Sequence, residues 1–173
     1  PKLNAFKAKW NNVPKANGDI SQDPVRSKRK DWNKEFKWDA IRFANKTYAV
    51  YDACTRSKGW CVWMDADSFI HSPWEYEEFA QLLPDNAYIT YVGRGKGSQT
   101  WPECGFYGLN LNHPVCHSFL EDFERMYEDA DNGIFTLEEW HDSYVFGELL
   151  KKYSEFPSHD YSAEMYLKEA KSG

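Results

Sequence analysis

The sequence predicts an α/β domain, a mixed sheet flanked by helices, on three observations. A stretch with apolar residues at helical spacing, Lys37 to about Ser57, is followed almost at once by an unbroken run of β-forming residues, Trp60 to Met64. Further segments then alternate, so that the predicted order is helix, strand, helix, strand, strand, helix, helix. The chain has 173 residues, 42% of them hydrophobic, enough to close one core and too little for two.

Residues 1–36 are polar, carry Pro14, Gly18 and Pro24, and show no sustained period. They predict an arm or long loop with at most one short helix, leaving 37–173 as the single domain. In the first long helix Trp38, Ile41, Ala44, Tyr48 and Tyr51 recur every three or four residues, while Asp39, Arg42 and Lys46 form a charged stripe beside them. Gly59 ends it. Trp60-Cys61-Val62-Trp63-Met64 lacks polar alternation, as expected of a strand buried on both faces. Ser72-Pro73 predicts the start of a second helix that buries Trp74, Phe79, Leu82 and Leu83 and stops at Pro84-Asp85-Asn86. Strands follow at Ala87–Val92 and Cys104–Leu111, with the loop Gly93-Arg94-Gly95-Lys96-Gly97-Ser98 between them. His113-Pro114 opens a helix whose Val115, Phe119, Phe123 and Met126 share one face. Thr136-Leu137-Glu138-Glu139 matches a capping box and predicts a last helix from Leu137 to Lys152.

The net charge of −6 gives no footprint for nucleic acid. The basic run Arg26-Ser27-Lys28-Arg29-Lys30 is first a solvated loop beside the acidic bulk and second an attractor of phosphate or acceptor. Cys54, Cys61, Cys104 and Cys116 lack the close pairs of a zinc site and the density of a secreted framework, so reduced thiols in a cytoplasmic protein are expected. No apolar stretch approaches the roughly 20 residues of a membrane span. Eight Trp, 11 Tyr and 11 Phe either fill the interior or in part line a surface that stacks on sugar-like ligands.

The chemistry concentrates where the apolar strand runs into Asp65-Ala66-Asp67. Carboxylates separated by one small residue point the same way in an extended segment, and strand ends are where open α/β sheets bind ligands. Paired carboxylates suit a hard cation, Mn2+ or Mg2+, which takes oxygen ligands and shares them with substrate phosphates.

Trp63-Met64-Asp65-Ala66-Asp67-Ser68 resembles the metal-binding D-x-D element of GT-A-type glycosyltransferases. Asp39-x-x-Arg42 resembles the helix pair that some of those families use near the nucleotide-sugar. Glu103-Cys104-Gly105-Phe106-Tyr107-Gly108-Leu109-Asn110 is similar to the glycine-containing strand bordering the sugar pocket, and Glu139-Trp140-His141-Asp142-Ser143 to a segment that returns polar residues to the metal. The resemblance spans roughly Lys37 to Lys152 and implies a nucleotide-diphosphate sugar donor and a separate acceptor. It implies Asp65, Asp67 and His141 as metal ligands and Asp142 and Glu103 as reaction-centre carboxylates. Asp39, Arg42, Lys46, Trp101 and Gly105 would border the substrate.

The bland alternatives are a surface ion-pair stripe for Asp39, Arg42 and Lys46, a loop acid beside a bulge for Glu103, and a capping pair for His141-Asp142. A complete domain of the GT-A type carries a nucleotide-binding strand and helix ahead of the matched region, and residues 1–36 do not look like that unit. The expectation is a fragment of a longer enzyme, or else an inert binding protein on the same scaffold. A phosphotransferase of the haloacid dehalogenase type also ends a strand in D-x-D, but Ser68-Phe69 departs from the residues that follow it there.

Overall fold

The computed structural model describes residues 1–30, 35–70, 73, 75–94 and 101–162. Its elements are α1 (Lys2–Trp10), α2 (Ala40–Thr55), β1 (Trp60–Met64), α3 (Tyr76–Gln81), β2 (Ile89–Val92), β3 (Glu103–Asn110), α4 (Pro114–Glu128), α5 (Asp142–Lys152) and β4 (His159–Asp160). The four strands form one mixed sheet in the order β1-β3-β2-β4, antiparallel except for the parallel β2–β4 pair. The α/β class therefore holds. Helix α2 packs on α1, α4, α5 and β1, and α5 packs on β3.

The polar opening segment is not an arm. Phe6, Trp10, Ala16 and Ile20 are buried in the same core as the rest of the domain. Phe6 and Trp10 lie one helical turn apart on α1, and their rings meet Tyr127 at 5.7 Å and Phe135 at 4.7 Å. A few large rings do the burying, so average polarity concealed it. Many of the other aromatic rings are interior in the same way: Trp38, Trp140, Tyr88, Tyr107, Tyr127, Phe119 and Phe146 are almost wholly buried.

Three helix starts and the burial of one strand differ from expectation. Helix α2 starts at Ala40 because Asp39 caps it, accepting from the Arg42 N–H at 2.8 Å, while Glu35–Trp38 forms a separate 3-10 turn. Strand β1 is half-buried rather than enclosed, and among the described residues it has a strand neighbour, β3, on one side only. Helix α3 starts at Tyr76 and buries none of its own residues, with Phe79 only half-covered. The expected start at Ser72 and the side chain of Trp74 lie outside the described residues.

The last helix starts at Asp142, five residues after its predicted start. Thr136 ends a 3-10 turn, and Leu137 is extended with ψ 161°. Tertiary hydrogen bonds hold the following residues out of a helix: the Trp140 N–H donates to Lys37 O at 2.7 Å, and Trp38 Nε1 donates to Glu138 O at 3.0 Å. His141 takes over the capping role, its Nδ1 accepting from the Tyr144 N–H at 3.3 Å.

Candidate functional site

Lys46 lies in the middle of α2 and sends its ammonium to the end of the sheet. It pairs with Asp65 Oδ1 at 2.9 Å and Asp142 Oδ2 at 2.8 Å, and it also donates to the Cys104 carbonyl. One cation thus ties β1, α5 and β3 together, with all its donors engaged. Burial alone would lower the Lys46 pKa, but the charge and hydrogen bond of Asp142, and then the bond to Asp65, hold it above its ordinary value. Trp63 Nε1 adds a 2.6 Å hydrogen bond to the same Asp65 oxygen.

The other oxygen of Asp65 faces a gap. The Asp65 N–H donates to Gly105 O at 2.8 Å, which brings β3 opposite the carboxylate. A Cβ placed on Gly105 would stand 3.4 Å from Glu103 Oε1, 3.7 Å from Asp65 Oδ2 and 4.0 Å from Ser68 Oγ. Oxygens of three residues therefore surround the space that this glycine leaves open. Glu103 is oriented from both sides: Oε1 accepts from the Gly105 N–H at 3.1 Å, and Oε2 pairs with the Arg94 guanidinium. The Asp65 and Glu103 side chains retain 36% and 46% exposure, so a ligand can enter from solvent. Two carboxylates and a hydroxyl form a hard-oxygen set, the chemistry that suits Mg2+ or Mn2+.

The structure thus brings together Lys46, Asp65, Glu103, Gly105 and Asp142. Asp67 follows in an exposed turn. Both ring nitrogens of His141 are engaged, Nδ1 in the cap and Nε2 with Glu139 Oε2 at 2.9 Å. Asp142 gives one oxygen to Lys46 and the other to the Ser143 N–H. Asp39 is a helix cap, and Arg42 is exposed with its guanidinium over Phe43. Trp101 packs on α5, its ring 4.2 Å from that of Tyr144 and close against Gly147. Among the described residues, no group of three or more His, Cys, Asp or Glu is arranged to hold a metal.

Two participants, Ser68 and Arg94, escaped the sequence reading. Ser68 stands next to the D-x-D pair, and its backbone N–H bonds back to Asp65 O at 2.9 Å in a turn that aims the hydroxyl inward. Arg94 belongs to the glycine-rich loop; its φ of 59° is left-handed, unusual for a residue with a side chain. The loop is pinned at its start, where the Gly93 N–H donates to Asp160 Oδ1 at 2.9 Å and Ser162 Oγ at 2.7 Å. A Cβ at Gly93 would come within 2.0 Å of Asp160 Oδ2, so a larger residue there would have to displace that carboxylate. Gly95–Ser98 lies outside the described residues.

Comparison with protein-family models, with curated proteins and with solved structures gives no match for this chain. The four cysteines are free thiols. No helix among the described residues is long and apolar enough to cross a membrane. Two arginines of the basic run are structural: Arg26 donates to Leu137 O at 2.5 Å, and Arg29 pairs with Glu138 at 2.5 Å.

Proposed function

We propose that this chain is a GT-A-type glycosyltransferase domain, or a large part of one, that binds a nucleotide-diphosphate sugar through Mn2+ or Mg2+ and transfers the sugar to an acceptor. The observation that carries the reading is the set of oxygens around Gly105, from Asp65, Glu103 and Ser68, at the end of the strand that leads into the D-x-D pair. Asp65 and Glu103, with Asp67 in the adjoining turn, would hold the cation. When bound, the cation supplies charge neutralisation for the diphosphate as it leaves. The chain's own groups do the rest. Lys46 fixes the angle of Asp65 and holds Asp142 beside it. Arg94 holds Glu103 and presents a guanidinium suited to phosphate oxygens.

Calorimetric titration with Mn2+ and then a panel of nucleoside diphosphates tests this. Diphosphate binding should require the metal and should weaken at least tenfold in Asp65→Asn. Metal-independent binding, or hydrolysis of phosphate esters without sugar-nucleotide turnover, overturns the proposal. A second reading, an inert binding protein on the same scaffold, is favoured by one feature: Lys46 already occupies an oxygen of Asp65 and one of Asp142. Metal-dependent binding without turnover of any sugar nucleotide would select it.

A further inference from the structure

The outer edge of β1 is a self-complementary strand, and we propose that it pairs with β1 of a second copy of this chain, antiparallel about a two-fold axis at Val62. The reasoning starts from which backbone groups are already used. The Leu111 N–H donates to Gly59 O at 2.7 Å and the Asp65 N–H donates to Gly105 O at 2.8 Å, in the register that places Trp60 opposite Asn110 and Met64 opposite Phe106. Residues 59, 61, 63 and 65 therefore turn their backbone groups toward β3. Trp60, Val62 and Met64 turn theirs the other way, and no described strand lies on that side.

Nothing on β1 guards this edge. Trp60-Cys61-Val62-Trp63-Met64 carries no charge and no proline, and its register with β3 runs without a bulge. These are the features by which exposed edges normally resist pairing. Exposed apolar side chains stand at its end and, past the turn at 65–68, in the segment that follows: Met64 is 49%, Phe69 80% and Ile70 58% exposed.

A second copy fits better than an arbitrary strand, because the edge matches itself in hydrogen bonds and in charge. With Val62 opposite Val62 of the second copy, Trp60 lies opposite its Met64, and every outward N–H on 60, 62 and 64 meets an outward C=O. The residues flanking β1 differ in sign: Arg56 and Lys58 precede it, Asp65 and Asp67 follow it. Antiparallel pairing sets the exposed Lys58 of one copy beside Asp65 and Asp67 of the other. The result is a continuous eight-stranded sheet in which each copy adds a lysine next to the other's carboxylates, whatever those carboxylates bind.

Sedimentation of the full chain across a concentration series, alone and as variants, tests this. The wild type should dimerise. Val62→Pro removes only an outward N–H, a change that edge strands accept, and should weaken association at least tenfold with an unchanged circular dichroism spectrum. Lys58→Glu should weaken it about fivefold. Val62→Cys, in a Cys61→Ser background with oxidised glutathione, should cross-link, because directly opposed Cα atoms about 5.5 Å apart suit a disulfide. A wild type that stays monomeric at hundreds of micromolar, or a dimer that Val62→Cys fails to cross-link, overturns the proposal. So does concentration-independent amide protection at Trp60, Val62 and Met64, which would mean that the chain covers its own edge.

Discussion

Two charged clusters, one around Glu139 and one around Asp65, use the same residue types to opposite ends. Around Glu139, Lys37 and His141 each approach the carboxylate to 2.9 Å, Arg29 stands at 3.7 Å, and the side chain is 7% exposed. Around Asp65, Lys46 takes one oxygen, and the second faces the space at Gly105 together with Glu103 and Ser68. The first cluster is closed, its charges matched by side chains of the same chain, with the Arg29 guanidinium over the Trp38 ring. The second is left partly unmatched and open to solvent. The difference lies in the acceptors: those of Glu139 are met by side chains, whereas Asp65 Oδ2 faces the open space at Gly105.

The contrast can be broken or sharpened by experiment. The largest effect is expected at the closed cluster: Trp38→Ala should cost about 4 kcal/mol, measured by urea denaturation, because a fully buried ring is lost together with its hydrogen bond to Glu138. Metal affinity in whatever fraction remains folded should not change. Lys46→Met should cost about 2 kcal/mol in the same assay, since Asp65 and Asp142 lose their shared cation. Gly105→Ala should barely affect stability, because the new methyl group meets its neighbours at 3.4 to 4.0 Å, ordinary contact distances. It should nonetheless weaken Mn2+ binding at least tenfold in an electron paramagnetic resonance titration, about 1.4 kcal/mol. Equal binding by this variant would place the cation elsewhere.

Acid should loosen the closed cluster. Burial pushes the Glu139 pKa up, but the hydrogen bonds from His141 and Lys37 outweigh it and hold the group below its ordinary value of 4.5. Its folded pKa is depressed, so its contribution is complete above 4.5 and is lost as the pH falls through the folded value. Denaturation midpoints between pH 6 and 3 should therefore fall more steeply in the wild type than in Glu139→Gln. The smallest effect on Mn2+ binding is expected from His141→Asn, which keeps a capping side chain but gives up the bond to Glu139: stability should drop by about 1.5 kcal/mol, and Mn2+ affinity should stay within twofold. A tenfold loss would restore His141 as a ligand.

Periodic apolar spacing made α2 and α4 legible, because Ala44, Tyr48, Phe119 and Phe123 are buried through simple helical geometry. The D-x-D pair was legible as a strand-end feature. What escaped depended on contacts between distant segments. The start of α5 is set by Lys37 and Trp38, about 100 residues upstream, and local capping signals carry no trace of them. Lys46 belonged on its charged stripe, but spacing could not show that it alone would reach the strand ends while Asp39 turned to capping. Glu103 and Asp65 face each other across Gly105 because antiparallel register, not chain order, decides which side chains sit opposite the end of β1.

The seat of α1 also bears on the order of events during synthesis. Lys2 pairs with Glu124 and Lys9 with Asp131, and Phe6 and Trp10 are covered by Tyr127 and Phe135. The first helix is translated long before the residues that bury it. At ordinary elongation speeds its two rings stay uncovered for on the order of ten seconds. While it is being made, the chain therefore carries an uncovered apolar segment at Phe6 and Trp10 until Tyr127 and Phe135 follow, and chaperones should bind that segment of the nascent chain.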